Sequence, residues 1–147
     1  MKENKKDEVS EGALLLFPLL KRLFNGEYSD PALAALRNQT YHILRILEIW
    51  GPVPMSVIGK QLFIAKQNMT VLINRLVKDE LVERQRDPAD RRIIIVVITE
   101  KGKGFVKEWK RGLKRIVGEN LSKLSDADIE SLHSVFEVIR TIVHKLD

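Results

Sequence analysis

Apolar residues recur at intervals of three and four along most of this chain, the period of helices that bury one side. Residues 1–9 are polar and read as a loosely ordered tail. Leu16, Leu20, Leu23 and Phe24 then fit a helix from Glu11 to about Phe24, stopped by Asn25-Gly26. Pro18 lies inside that run, so the helix is expected to start near it or to kink there. Ser29-Asp30-Pro31 is a start signal, a capping side chain followed by proline at the first helical position. The pattern continues through Ile43, Leu44, Leu47 and Trp50, as one helix or two, until Gly51-Pro52 ends it.

Two shorter helices are predicted at about Met55 to Leu62 and Ala65 to Lys78. Only Phe63 and Ile64 separate them, so they must turn sharply, as in a helix-turn-helix. Leu81 to Arg86 and the strongly β-branched Arg92 to Ile98 read as strands. The polar turn sequence Asp87-Pro-Ala-Asp-Arg91 joins them into a hairpin, or wing. Thr99 caps a long helix whose apolar side is read as Phe105, Trp109, Leu113, Ile116 and Val117. Ser125-Asp-Ala-Asp128 resembles a capping box with Asp in place of Glu. The closing helix, Asp126 to about Leu146, has apolar residues at 129, 132, 136, 139, 143 and 146, the spacing of a heptad seam.

Composition narrows the chemistry. A chain of 147 residues can bury a core without metal or disulfide. It has no cysteine, which excludes a thiolate metal site, a cysteine nucleophile and a thiol redox sensor. The start of the chain is mixed in charge and lacks a secretory apolar region, and no apolar run approaches a membrane span, so a cytoplasmic protein is expected. No cofactor is expected. Between Lys60 and Arg115 lie fifteen Lys/Arg against seven Asp/Glu; the remainder holds ten against thirteen. A basic middle between acidic flanks suits a polyanion-binding surface. Charge alone fits a solvated helix face equally well.

The second helix of the helix-turn-helix offers more specific chemistry. On a helical wheel Met69, Leu72 and Leu76 face the core, while Gln67, Thr70, Val71, Asn74 and Lys78 fall opposite. Gln can pair with the N6 and N7 of adenine, Thr and Asn can bond base edges or phosphates, and Val can meet a thymine methyl. Lys66 and Asn68 stand near the helix N-terminus, where backbone N–H groups also favour phosphate. The hairpin supplies Arg84, Arg86, Arg91 and Arg92, of which a tip arginine can enter the minor groove. Asp87 and Asp90 would repel phosphate, and are expected instead to hold the arginines in bidentate pairs. Each set, taken alone, also fits an ordinary polar surface.

Together these strings are more telling. Ile58-Gly-Lys-Gln-Leu62, Ala65 through Leu76, Leu81-Val-Glu-Arg84, Asp87-Pro-Ala-Asp-Arg-Arg92 and Ile98-Thr-Glu-Lys-Gly102 resemble the MarR (multiple antibiotic resistance regulator) family. The motif match spans about Thr40 to Gly104; the outer helices agree by pattern only. The resemblance implies a mainly α fold with a small β-hairpin wing (α+β), a winged helix-turn-helix flanked by N- and C-terminal dimerisation helices. On this reading residues 1–30 hold the tail and first dimerisation helix, 31–104 the DNA-binding domain, and 105–147 the linker and dimerisation helices. It implies a homodimer paired through Leu16, Leu20, Phe136, Ile139 and Val143, gripping a palindromic double-stranded operator. Arg92 becomes the minor-groove residue and Asp90 its orienting partner. It also implies a repressor released by a small aromatic or phenolic effector, for which Tyr41, His42, Arg45 and Trp50 are candidates, although packing explains them as well.

The chain departs from the family pattern at three places. Phe63 stands where the turn often has Gly, Ala65 where Ser or Thr often caps the helix, and Glu80 where Gly usually ends it. The missing cap should cost about 1 kcal/mol, and a positive φ at Glu80 would be strained. Two other functions remain in view. A winged helix can serve as a protein-interaction module that never touches DNA, but the basic middle and the wing arginines argue against it. An enzyme is disfavoured, because His42, His133 and His144 are scattered and no nucleophile–base pair or phosphate-cradling glycine loop is present.

Overall fold

The computed structural model describes residues 2–26 and 29–145. Helix α1 (Lys2–Lys21) begins nine residues before the expected start at Glu11 and runs into a 3-10 turn over Arg22–Phe24. The tail read as loosely ordered is helical, because its Lys and Glu residues are good helix formers that need no buried face. Pro18 therefore lies within the helix rather than at its start. Its missing N–H leaves the carbonyl four residues earlier without its helical partner.

The next helical run divides in two. The Asp30 carboxylate accepts the Ala32 N–H at 2.9 Å, and Pro31 opens α2 (Pro31–Leu36). The Asn38 side chain accepts the Thr40 N–H at 2.9 Å and starts α3 (Gln39–Trp50) afresh. Gly51, at φ 75, ends α3 in a conformation that glycine adopts freely. A two-residue strand, β1 (Val53–Pro54), precedes α4 (Met55–Gln61), α5 (Lys66–Lys78), β2 (Val82–Arg86) and β3 (Ile94–Ile98). The sheet has three antiparallel strands in the order β1-β3-β2, with Val53 opposite Val96 and Arg84 opposite Val96 on the other side. β1 was not foreseen; two residues, one of them proline, carry no periodic signal.

The chain divides into two compact units, residues 27–113 and residues 1–26 with 114–147. In the first, Ile43, Leu44, Leu47, Ile58, Met69, Ile73, Leu76, Leu81, Val82, Val96 and Val106 form one core. Two assignments within it need correction. On α5 the fully buried residue is Ile73, while Leu72 is only partly buried, because Met69, Ile73 and Leu76 make the i, i+4, i+7 stripe. On α6 (Glu100–Leu121) Val106 is buried along with the expected Leu113 and Ile116, while Phe105 is 40% exposed and packs edge-on against Trp109 at 4.1 Å between ring centroids.

The start of α6 is fastened to the turn between α5 and β2. The Thr99 hydroxyl donates to the Glu80 carbonyl at 2.7 Å and accepts the Gly102 N–H at 3.0 Å, so Thr99 caps the helix as expected. A Cβ at Gly102 would lie 2.2 Å from the Leu81 carbonyl oxygen, so this contact requires glycine.

In the second unit the Asn120 amide donates to the Leu23 and Asn25 carbonyls at 3.0 and 2.8 Å. The capping box is present: Ser125 Oγ accepts the Asp128 N–H, and the Asp128 carboxylate accepts the Ser125 N–H. Helix α7 (Asp126–Val143) then buries none of its residues. Along its seam Ile129, Leu132 and Ile139 are half-buried and Phe136 and Val143 exposed, while Leu146 lies outside the described residues.

Candidate nucleic-acid interface

Because Met69, Ile73 and Leu76 turn one side of α5 into the core, the other side must face water. Lys66, Gln67, Asn68, Thr70, Val71, Asn74 and Lys78 are all exposed, and Val71 is 66% exposed. Two of these side chains have internal partners. The Thr70 hydroxyl donates to the Lys66 carbonyl at 3.1 Å. The Arg84 guanidinium of β2 donates to the Asn74 side-chain oxygen. That bond ties the hairpin to α5 and leaves the Asn74 amide hydrogens as donors. Sequence reasoning had placed both residues near DNA but had not paired them; strand and helix positions ten residues apart carry no pairing signal.

The hairpin loop is closed by its own polar atoms. The Asp87 N–H donates to the Ile93 carbonyl at 3.1 Å, and the Ile93 N–H to the Asp90 carbonyl at 2.9 Å. The Arg92 guanidinium grips Asp90 with two bonds of 3.0 Å, and the Arg92 N–H adds a third at 3.0 Å. These bonds, the side-chain pair first, hold the Asp90 carboxyl below the usual carboxylate range and raise Arg92. The Arg92 side chain is nonetheless 90% exposed, so the pair aims a guanidinium outward rather than burying it.

Asp87 behaves differently from the expectation. Its carboxylate accepts the backbone N–H groups of Ala89 and Asp90 at 2.8 and 3.0 Å, so it shapes the turn instead of pairing with an arginine. Arg86 and Arg91 are exposed beside the loop.

The positive φ anticipated at Glu80 is present, at 62, and Phe63, which stands where the turn often has Gly, has a positive φ of 54 as well. Glu80 is held by the Thr99 hydroxyl and by a 3.0 Å ion pair with Lys101. Ala65 precedes α5 with no side-chain cap.

The four effector candidates separate. Tyr41 is buried, with ring centroids 5.4 Å from His42 and 5.3 Å from Trp109, and burial pushes its phenol above its ordinary pKa. The His42 ring Nε2 meets the Leu36 carbonyl at 2.8 Å, and Arg45 pairs with Glu48, which Lys110 also reaches at 3.5 Å. Trp50, nine residues after Tyr41, lies half a turn round the helix from it. A cavity of about 680 Å3 lies elsewhere, lined by Met55, Lys60, Phe63, Ile64, Lys66 and Met69 among others, at the turn between α4 and α5.

A family model described as MarR family matches residues 36–94. Over nearly its whole length the chain is also similar to the organic hydroperoxide resistance transcriptional regulator of Bacillus subtilis (strain 168), with 30% identity covering 97% of this chain and 98% of that protein. This chain belongs to the MarR family. The HTH-type transcriptional regulator MhqR of Bacillus subtilis is 27% identical, over 83% of this chain and 87% of the relative. The solved structure of a MarR family protein from Bacillus stearothermophilus shares the fold, with a TM-score of 0.69, 19% identity, and coverage of 95% and 97%. α4 and α5 are thus the helix-turn-helix of a MarR regulator and β2–β3 its wing, and the protein is a DNA-binding transcriptional regulator. The organic hydroperoxide resistance in the first relative's name is said of that protein.

Proposed function

We propose that the chain works as a cytoplasmic homodimer that reads a palindromic operator and represses transcription until a small aromatic or phenolic effector binds. The observation that carries this reading is the pairing of one helix side with one locked arginine. α5 exposes Lys66, Gln67, Asn68, Thr70, Val71, Asn74 and Lys78, and the Asp90 carboxylate holds Arg92 out on the adjoining hairpin. α5 enters the major groove, Gln67, Val71 and Asn74 read bases, and Lys66 and Lys78 meet phosphates. Arg92 enters the minor groove, with Arg86 and Arg91 on its flanking phosphates.

The dimer is supported by the exposed apolar residues of the second unit. Leu16, Phe136 and Val143 remain 37%, 41% and 51% exposed within one chain, and Leu20 and Ile139 are half-buried. The effector is supported by the aromatic cluster of Tyr41, His42 and Trp109 beside Arg45 and Lys110.

The test begins with the duplex that the purified chain selects from a randomised pool. Binding to it should weaken steeply as salt rises. Arg92→Ala should lower affinity about tenfold or more, the loss of a charged hydrogen-bonding group. Gln67→Ala should change the selected sequence and leave the salt slope intact. A chain that selects no sequence, or an Arg92→Ala variant that binds equally well, defeats the reading.

A further inference from the structure

We propose that Phe63 is an apolar DNA contact, a ring that rests on a thymine methyl group at the edge of the groove entered by α5. The inference rests on the reading of α5 given above. Phe63 is 97% exposed, more than any other large apolar side chain among the described residues. It also stands at φ 54, where a Cβ is crowded and glycine is the unstrained choice. Two unfavourable features thus coincide at one position, and Gly or Asn would remove both.

The turn that carries the ring is firmly held. The Phe63 N–H donates to the Lys60 carbonyl at 3.3 Å, and the Ile64 N–H to the Gly59 carbonyl at 2.8 Å. Gly59 itself is tightly seated, since a Cβ there would lie 3.0 Å from Met69 Cγ. A ring fixed in water by a rigid turn contributes only when another surface covers it.

The charge around the ring identifies that surface. Lys60 and Lys66 line the same cavity as Phe63, both are exposed, and no carboxylate is among the lining residues. The occupant is therefore anionic and also offers apolar points at a fixed spacing from its charges. Duplex DNA does both: phosphates meet the lysines, and thymine methyls meet the ring. Lys66 belongs both to this lining and to the exposed set of α5, on which Val71 stands as a second exposed apolar residue.

The test uses the full chain, its selected duplex, and copies of that duplex in which deoxyuridine replaces one thymine at a time. Phe63→Gly and Phe63→Asn both suit a positive φ, so each should melt no lower than the unmodified protein. Each should bind the thymine duplex about tenfold more weakly, the scale of an apolar side chain left uncovered. The unmodified protein should lose about fourfold at one particular thymine, as expected for one methyl. Both variants should be indifferent to that same replacement, and their salt slope should be unchanged because no phosphate contact is lost.

Equal binding by variants and parent overturns the ring contact while leaving the DNA-binding reading in place. Deoxyuridine losses that persist undiminished in the variants overturn it too. So does a variant that becomes monomeric in sedimentation, which would mark the ring as a subunit contact. A parent protein that selects no duplex removes the DNA-binding reading and this inference together.

Discussion

Helices α5 and α7 are both amphipathic, with 13 and 18 residues, yet α5 buries Met69, Ile73 and Leu76 to within 1% while α7 buries nothing. The difference is one of supply. α5 belongs to a unit whose three-stranded sheet and surrounding helices provide enough apolar surface to enclose it. α7 belongs to a unit of helices alone, with Val135, Phe136, Val138, Ile142 and Val143 left at 41–57% exposure. A single copy of this chain completes one core and leaves the other open. The first region should therefore respond to mutation through stability, and the second through association.

The sharpest way to break that contrast is Ile139→Asp. It should dissociate the dimer in sedimentation and reduce operator affinity about 100-fold to 10,000-fold, the scale of lost bivalency, while far-UV circular dichroism stays helical. A variant that remains dimeric would show that α7 is not the joining surface. Ile73→Ala, in the closed core, should instead cost about 2–5 kcal/mol in urea unfolding through its cavity. Gly102→Ala should cost about 1–3 kcal/mol, because the added methyl meets the Leu81 carbonyl and the backbone must shift.

The smallest expected effect is acid sensitivity. Hydrogen bonds from Arg92 and Ser125 lower the pKa of Asp90 and Asp128, one in the wing and one at the start of α7. A carboxylate lowered in the fold contributes fully above its ordinary unfolded pKa. That contribution is lost as pH falls through the lowered value. Carboxyl titration by NMR should place both groups below exposed aspartates, and Arg92→Ala should move Asp90, but not Asp128, part of the way back toward the ordinary range, since the backbone N–H of residue 92 still donates to Asp90.

Much of the fold was legible because its signals are local. Asp30, Thr99 and Ser125 each cap a helix within three residues of themselves, and capping chemistry depends on little beyond that spacing. Most of the α5 surface set was legible for the same reason: one well-patterned helix has only one wet side. Other features depended on partners distant in sequence. Leu72 and Ile73 differ by one position on the wheel, both fit a spacing of three or four from Met69 and Leu76, and the surrounding core of helices and strands encloses Ile73. Val106 was overlooked beside the larger Phe105, which the fold leaves at the edge of the core. Asp87 was assigned to an arginine, although backbone donors two and three residues away were closer competitors.

By itself the amino-acid order determined most of the helices, the caps at Asp30, Thr99 and Ser125, the hairpin and the family resemblance, since these follow from residue types within a few positions of one another. Tertiary structure decided that Arg84 holds Asn74, that Phe63 stands in water at a strained φ, and that one amphipathic helix is enclosed while another is not. Burial is a property of what surrounds a side chain, and its surroundings come from segments that no local pattern brings together.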